Sequence, residues 1–349
     1  MGSISTADAR GLYTKMLIDV YKERTAPTSF LRSFFPVKES ATKYLSIEVQ
    51  RGSEKIAVDV LRGTEGNRNT FSKSTEKLIQ PPLYREYFDV TEIDLYERLF
   101  GDSNIDGAVF SQFLDSVAEK LRMLQDKIER AYELQCSQVL ETGVVLLNSD
   151  TSIDFQRKLG SLVANGAGNT WATGTVDPTE TLKDGCTFLR QKGKAGGSMF
   201  NAIVGSTALN HMLNNTIMKA RADIRNYSLD AVAAPQKQSV GGTLHGIVTA
   251  GSYNVALWSY PEYYDNASNV STPYINPKKV IILPENPKFT LGFGAVPQLV
   301  GDGGSVKKGA YIIGEYKDER EASHIMDIQS AGIAIPTAVD QIYTVQTVA

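Results

Sequence analysis

Apolar residues recur at helical spacing between positions 107 and 141. Separations of four and three residues place them on one face of an α-helix, and no proline or glycine interrupts the pattern between Gly107 and Gly143. The pattern predicts one helix about 50 Å long, at about 1.5 Å per residue. Only about three heptads are regular, so we interpret it as the spine of a domain rather than a coiled-coil strand. The residues on this face are Phe110, Leu114, Val117, Leu121, Leu124, Ile128 and Ala131.

Apolar and polar residues alternate with a period of two at 45–49 and 56–60, which predicts two β-strands with a turn at 51–53. The mixed-charge segment 61–82 follows, and it is longer than most loops of compact domains. Two prolines at its end favour extended backbone. Together these features predict a long hairpin that projects from the body of the protein.

The N-terminal segment 12–22 has apolar residues at helical spacing, and the aromatic segment FLRSFFP follows at 30–36. So many large apolar residues are typical of a protein core, but so short an arm has little of its own to pack against. We therefore treat them as candidates for an assembly interface, with an ordinary core as the alternative. These candidates are Phe30, Leu31, Phe34 and Phe35.

Basic and acidic residues are interleaved in the hairpin segment between Arg51 and Glu86. Mixed charges suit contacts with protein better than contacts along a row of phosphates. The further interface candidates in this segment are Arg51, Arg62, Arg68, Phe71, Lys73 and Lys77.

The second half of the chain combines helical and strand patterns, so the fold class is predicted to be α+β. Asp177 followed by Pro178 predicts the start of a helix, because proline is tolerated in the first turn and acidic residues favour the positive helix end. Short apolar runs then flank a helical stretch at 206–223, which predicts buried strands of an α/β region. These apolar runs lie at 202–204, 255–258 and 280–283. The tail returns to strand patterns at 310–313, 325–335 and 342–348.

The composition is that of an ordinary folded protein. Of the 349 residues, 42% are hydrophobic and 21% are charged, which excludes wholesale disorder. A formal net charge of -3 provides no global positive field for non-specific binding of nucleic acid. Cys136 and Cys186 lack the spacing of a zinc site or a disulfide framework, which favours a reducing compartment. No apolar run suits a signal peptide or a membrane span, so we expect a soluble cytoplasmic product.

Candidate chemistry is sparse. His211, His245 and His324 lack metal-ligand spacing in their surroundings. The Gly-rich segment 301–309 resembles a phosphate cradle, but a strand pattern follows where a helix would be required, so a hairpin tip is favoured. The sequence therefore predicts no catalytic residue, no cofactor and no metal. An α/β enzyme or ligand-binding protein that binds phosphate at 301–309 remains an alternative.

The order and spacing of these features resemble the major capsid proteins of lambda-type tailed bacteriophages, over nearly the whole chain. The resemblance rests on FLRSFFP at 30–36, TFSKSTEKLIQPP at 70–82, the long helix at 107–141, the helix opened by Asp177-Pro178-Thr179, WSYPEYYDNASN at 258–269, KKVIILPEN at 278–286 and DIQSAGIAIP at 327–336.

The resemblance implies the Hong Kong-type capsid fold. Its parts would be an N-terminal arm at 1–36, an extended hairpin loop at 44–88, a peripheral domain with the spine helix at 89–176 and 322–349, and an axial α/β domain at 177–321. In that topology the C-terminal strand would rejoin the peripheral domain after the axial excursion.

The resemblance also implies a structural function rather than an enzymatic one. Family members assemble into hexamers and pentamers of an icosahedral head around double-stranded DNA, which is enclosed without sequence-specific binding. The expected partners are copies of this chain, a scaffolding protein and a portal, with a decoration protein as a further candidate and no membrane. The expected location is the virion, and the host cytoplasm during assembly. A projecting hairpin loses conformational entropy on ordering, and contacts with neighbours would compensate for that loss.

Relatives on the same fold leave alternatives open. An encapsulin-type compartment that holds protein cargo is one of them. Some relatives carry a cleaved N-terminal scaffolding segment, but here the arm begins almost at Met1, so a separate scaffolding protein is expected. Others cross-link through a lysine and an asparagine, and nothing marks Lys55, Lys73 or Lys77 as reactive.

Overall fold

The computed structural model describes residues 27–49, 75–90, 108–147, 152–164, 170–174, 176–224, 236–237, 241–300, 303–318 and 323–348. Within these ranges the helices are α1 (Ala108–Glu141), α2 (Pro178–Gln191), α3 (Ser206–Asn214) and α4 (Thr216–Ile224). Short 3-10 turns lie at Arg32–Phe34, Trp171–Thr173 and Val339–Gln341. None of the helices described is long and apolar enough to cross a membrane.

The mixed content of helix and strand confirms the predicted fold class. In chain order the strands are β1 (Val37–Glu39), β2 (Leu45–Val49), β3 (Thr75–Ile79), β4 (Tyr84–Val90), β5 (Val144–Leu146), β6 (Ser152–Asp154), β7 (Leu162–Ala164), β8 (Met199–Val204), β9 (Gln236–Lys237), β10 (Thr243–Ala250), β11 (Tyr253–Ser259), β12 (Tyr263–Asp265), β13 (Ser271–Pro273), β14 (Lys279–Pro284), β15 (Thr290–Phe293), β16 (Val296–Val300), β17 (Gly303–Lys307), β18 (Ile312–Asp318), β19 (Ser323–Ser330), β20 (Gly332–Ile335) and β21 (Tyr343–Gln346).

The chain divides into two compact units. The first consists of Met1–Pro27, Leu83–Ala131 and Ala295–Ala331, and the second of Thr28–Pro82, Tyr132–Gly294 and Gly332–Ala349. Helix α1 therefore contributes its first two thirds to one unit and its last turns to the other. These units do not coincide with the four parts expected from the resemblance, and that finer division stays a prediction.

Helix α1 confirms the single helix predicted over 107–141. Its last turns are buried on several sides, with Tyr132, Cys136 and Leu140 fully enclosed. Polar residues there are buried too, and each needs a hydrogen-bond partner. Gln135, which interrupts the apolar pattern, accepts the Ala334 backbone N–H at 3.1 Å through its Oε1.

The first unit contains a three-stranded antiparallel sheet in the order β18, β19, β4, and the antiparallel hairpin of β16 and β17. Asp327 in β19 is fully buried, and its Oδ2 receives hydrogen bonds from Arg85 Nε at 2.7 Å and Gln329 Nε2 at 2.6 Å. The segment 301–309, predicted as a hairpin tip, contributes strand β17 (Gly303–Lys307) to an antiparallel hairpin, and the next element is strand β18. A phosphate loop would require a helix there.

The second unit is built on a seven-stranded mixed sheet in the order β7, β21, β14, β8, β11, β10, β9. Helix α2 packs against it, and Asp177 caps this helix by accepting the Thr179 backbone N–H at 2.9 Å, as the sequence predicted. At Gly185, helix α2 lies directly against side chains of the sheet. A Cβ at that position would lie 2.5 Å from Ile282 Cδ1 and 2.8 Å from Tyr343 Cδ1.

The terminal strand β21 pairs with β14 and with β7 inside the seven-stranded sheet. Its return to a peripheral domain at 322–349 stays a prediction. Its Thr344 hydroxyl also donates to the Leu140 carbonyl near the end of α1 at 2.8 Å. Arg157, whose pKa burial lowers to about 10, donates to carbonyls of α1 and of the segment leading into β21.

The predicted helical stretch 206–223 is two helices rather than one. Asn215 between them has extended backbone, and its Oδ1 accepts the Ile217 N–H at 2.9 Å and so caps α4. Asparagine competes with the helical backbone for hydrogen bonds, which favours a break at this point.

The base of the long hairpin is an antiparallel pair of β2 and β3, in which Leu45 lies opposite Ile79. The strand predicted at 45–49 is thereby confirmed, and its pairing with 75–79 is consistent with a long hairpin. The turn predicted at 51–53 and the strand predicted at 56–60 lie outside the described residues. Nearby, β1, β15 and β20 form a three-stranded sheet in which β1 is parallel to β15.

Candidate functional site

Helix α1 presents a buried carboxylate to the last part of the predicted N-terminal arm. The Glu133 side chain receives the Leu31 backbone N–H at 2.7 Å and the Arg32 backbone N–H at 3.1 Å, one on each oxygen. Both N–H groups lie at the start of the 3-10 turn Arg32–Phe34, where a helix has no internal acceptor for them. Hydrogen bonds to a charged acceptor are about twice as strong as neutral ones. Glu133 therefore fixes the start of this turn.

Aromatic rings hold Phe30 beside this carboxylate. The Phe30 ring lies 5.5 Å from Trp258 and 5.4 Å from Tyr260, measured between ring centroids. Gly242 lies against the ring so closely that a Cβ at this position would overlap Phe30. The Tyr260 hydroxyl hydrogen-bonds to Glu133 and to the Thr28 hydroxyl. Phe30 thus occupies a pocket formed by its own chain.

Phe35 closes the other end of the segment. Its ring stacks on Phe289 with centroids 4.9 Å apart. The next carbonyl, Pro36 O, accepts the Leu291 N–H at 3.0 Å and begins the pairing of β1 with β15. We call residues 28–36 with Glu133, Trp258, Tyr260 and Phe289 the arm anchor.

Electrostatics in the arm anchor favour a structural role. Burial raises the pKa of the Glu133 carboxyl, while hydrogen bonds from Leu31, Tyr260 and Arg32 and the charge of Arg32 act in the opposite direction. Burial first, and the charge of Glu133 second, raise the pKa of Tyr260 and of the Cys136 thiol. Hydroxyl and thiol therefore stay protonated, so neither is prepared to act as a nucleophile.

The polar side chains of α1 continue in the same direction at intervals of four residues. The Ser137 hydroxyl donates to the Tyr274 carbonyl. Glu141 accepts the Asn276 backbone N–H and pairs with Lys279 Nζ at 3.2 Å. Residues four apart lie on one face of a helix, so Glu133, Ser137 and Glu141 form one polar stripe that binds two segments of the second unit, 31–32 and 274–279.

Three of the predicted interface residues are enclosed by their own chain, and a role for them in assembly stays a prediction. Phe30, Leu31 and Phe35 are 2%, 0% and 2% exposed within their own chain. A side chain that is already enclosed has almost no surface left to bury against a neighbour, so these three belong to the core of the subunit. Their partners could not be predicted from the sequence, because Glu133 is about a hundred residues away and no local signal connects it with this segment.

The other predicted interface residues are placed differently. Phe34 is half-buried, with its ring edge-on to Phe30 at 5.5 Å. Lys77 lies in β3 opposite Ile47. Arg51, Arg62, Arg68, Phe71 and Lys73 lie outside the described residues.

One of the three histidines, His245, has a side-chain hydrogen-bond partner. His245 lies in β10 and hydrogen-bonds through Nε2 to the Ser259 hydroxyl at 2.7 Å, and burial lowers its pKa. Among the residues that the structure describes, no group of three or more His, Cys, Asp or Glu could hold a metal ion.

Large apolar side chains are exposed around the base of the hairpin. Leu78 in β3 is 64% exposed and Tyr44, just before β2, is 49% exposed. Leu78 lies opposite Ser46, on the face away from the buried pair of Leu45 and Ile79. Tyr44 and Leu78 are therefore further candidates for contact with another molecule.

Comparisons with known proteins are consistent with this fold. The chain matches the family model described as phage major capsid protein E over residues 14–347. A solved structure described as a prophage capsid protein of E. coli CFT073 has a TM-score of 0.62 at 14% identity, covering 97% of this chain and 98% of that chain. None of the curated proteins compared with the chain matches it.

Two further solved structures share the fold. A phage-related protein from Bordetella bronchiseptica RB50 has a TM-score of 0.50 at 11% identity, covering 97% of this chain and 96% of that one. The mature capsid of bacteriophage PhiM1 has a TM-score of 0.50 at 10% identity, covering 94% and 89%. At these identities the similarity shows the fold alone.

Proposed function

Because this chain belongs to the phage major capsid protein E family, we propose that it builds the icosahedral head of a tailed phage as hexamers and pentamers of one subunit. The observation that carries the proposal is the family match over residues 14–347. The shared fold with a prophage capsid protein supports it.

The surface at the base of the hairpin supports self-assembly. A two-stranded ladder is only marginally stable by itself, and here one face of the β2 and β3 pair packs inward through Leu45 and Ile79. The other face presents Leu78 to solvent. Burying such a side chain contributes about 1.5–3 kcal/mol, so a neighbouring subunit that covers this face would stabilise both the hairpin and the contact.

The proposed partners are those that a phage head needs in order to assemble into a closed shell and to take up DNA. They are copies of this chain, a scaffolding protein, a portal and, as a further candidate, a decoration protein. Packaged double-stranded DNA would be enclosed without specific contacts, and a formal net charge of -3 suits a container that does not grip it. The chain would work in the virion, and in the host cytoplasm during assembly, with a structural rather than an enzymatic role.

We retain the four-part division as part of the proposal. The arm would comprise 1–36, the extended loop 44–88, the peripheral domain 89–176 with 322–349, and the axial domain 177–321. Support for the axial domain comes from β8, β9, β10, β11 and β14, which form most of the seven-stranded sheet and lie within 177–321. Strand β21 would join that sheet from outside this range.

Electron microscopy and sedimentation of the full chain, expressed with and without the scaffolding protein of its phage, test the proposal. We expect closed shells or free capsomers. A strictly monomeric protein under all assembly conditions would contradict it. The contents of the particles separate a phage head from an encapsulin-type compartment, because the first protects DNA from nuclease and the second retains a protein cargo.

A further inference from the structure

The arm anchor and the base of the hairpin are attached to the same strand. Along one edge of β15, Val37 pairs with Leu291, and the Ser40 N–H donates to the Phe293 carbonyl at 2.8 Å. On the face of β15, Gly292 receives Leu45, the first residue of β2, and a Cβ on this glycine would lie 2.6 Å from Leu45 Cδ1. Strand β15 therefore holds both β1 and the start of the hairpin.

Strand β1 has almost no packing of its own. All three of its residues, Val37–Glu39, are exposed. Its position therefore depends on its backbone hydrogen bonds to β15 and on residues 28–36 of the arm anchor, which directly precede it in the chain. Only five residues separate the end of β1 from the start of β2, so a displacement of β1 reaches the hairpin through a short connection.

We propose that Glu133 is a positioning residue for assembly, which holds the base of the hairpin through the arm anchor, β1 and β15. Its carboxylate fixes the start of the 3-10 turn Arg32–Phe34, and the turn places Phe35 on Phe289 and aligns β1 with β15. When the carboxylate is lost, residues 28–36 loosen, and the pair of β2 and β3 loses order with them. The coupling inside the subunit does not depend on the proposed function. Its consequence for shell formation rests on that function.

Hydrogen exchange of the full-length, unassembled subunit measures the coupling directly. In Glu133→Gln one oxygen that accepts a backbone N–H becomes an amide NH2, which cannot accept it. We expect amide exchange to rise roughly tenfold or more in 28–40, 45–49 and 75–79, the scale of one lost hydrogen bond to a charged group. Exchange in β8 and β14, at the centre of the seven-stranded sheet, should stay unchanged.

Glu141→Gln is the matched control. Glu141 lies on the same stripe of α1 and also accepts a backbone N–H, from Asn276, but it does not touch the arm anchor. This variant should leave exchange at 28–40, 45–49 and 75–79 as in the wild type. Tyr260→Phe is the milder second variant, because it keeps the ring against Phe30 and removes only the hydroxyl shared by Glu133 and Thr28.

Each outcome decides the proposal. Faster exchange in both the arm anchor and the hairpin base, in Glu133→Gln but not in Glu141→Gln, supports it. Faster exchange confined to 28–36, spread equally over β8 and β14, or absent would overturn it. If Glu133→Gln does not fold, Tyr260→Phe is judged by the same regional pattern.

Assembly assays then test the consequence separately. Glu133→Gln should reduce the yield of closed shells at equal subunit concentration, while Glu141→Gln assembles as the wild type does. If the variants show the coupling but wild-type subunits never form shells, the proposed function is contradicted and the coupling still holds. Normal shell yield from a variant with a disordered hairpin base would overturn the positioning role.

Discussion

The Glu133 carboxylate binds the backbone of Leu31 across 102 positions of the sequence, with an N to O distance of 2.7 Å. This hydrogen bond joins the end of the N-terminal arm to the long helix. It also explains why the aromatic segment at 30–36, which has little of its own to pack against, is part of the subunit core. The arm residues beside it are enclosed by Trp258, Tyr260 and Phe289 rather than offered to a neighbour.

Truncation of Phe35 should destabilise the subunit itself. Phe35→Ala removes a ring that is stacked on Phe289 in a closed pocket, and we expect a loss of about 3–5 kcal/mol in the free energy of unfolding. Urea denaturation of unassembled subunits measures it. The control is Val37→Ala, an exposed position nearby, which should change stability by less than about 0.5 kcal/mol. Equal stabilities of the two variants would place Phe35 outside the core.

Opposite faces of β3 should separate assembly from folding. Leu78→Ser changes an exposed residue, so stability should stay within about 0.5 kcal/mol while shell yield falls. Ile79→Ser changes the buried neighbour and should cost about 2–5 kcal/mol of subunit stability. Unchanged assembly of Leu78→Ser would remove this face from the proposed contacts.

The approach of α2 to the sheet should tolerate no side chain at Gly185. In Gly185→Ala the new Cβ would clash with Ile282 and Tyr343, and we expect a loss of about 1–3 kcal/mol from the strain of overpacking. Gly196→Ala is the control, because a Cβ there meets nothing within 4 Å. Thermal unfolding of both variants compares them, and a Gly185→Ala variant as stable as the control would contradict the close packing.

Glu133 should give the subunit an unusual dependence on pH. Burial raises its folded-state pKa above the ordinary value of 4.5. Between pH 4.5 and the folded-state pKa, the folded protein therefore holds a proton that the unfolded chain has released. The contribution of Glu133 to the free energy of unfolding should therefore rise as the pH falls from neutral towards 4.5, and be lost as the pH rises through the folded-state pKa. Denaturation of wild type and Glu133→Gln across this range measures the difference. A wild type that loses stability relative to the variant on acidification would contradict the assignment.

Local elements could be predicted from the sequence because their signals are local. The period of α1 and the Asp177 and Pro178 cap were both sufficient to predict helices that the structure contains. The strand alternation at 45–49 was sufficient as well. By contrast, one apolar period running through 206–223 concealed the break at Asn215, where a capping side chain competes with the helix.

Long-range pairings could not be predicted in the same way. The place of β21 in the seven-stranded sheet depends on its register with β14, and nothing in its own sequence distinguishes that partner from another strand. The arm anchor depends on the Glu133 carboxylate, and the sequence pattern of the helix does not distinguish Glu133 from its other charged residues. Its burial becomes visible only when the Leu31 and Arg32 N–H groups are found on its two oxygens.

A side-chain-resolution reconstruction of assembled particles by electron cryomicroscopy tests the central claim most directly. We expect a closed shell of hexamers and pentamers in which Tyr44 and Leu78 are covered by a neighbouring subunit while Phe30 and Phe35 remain in the pocket of their own chain. A protein that forms no shell, or a shell in which Tyr44 and Leu78 face solvent, would contradict the account.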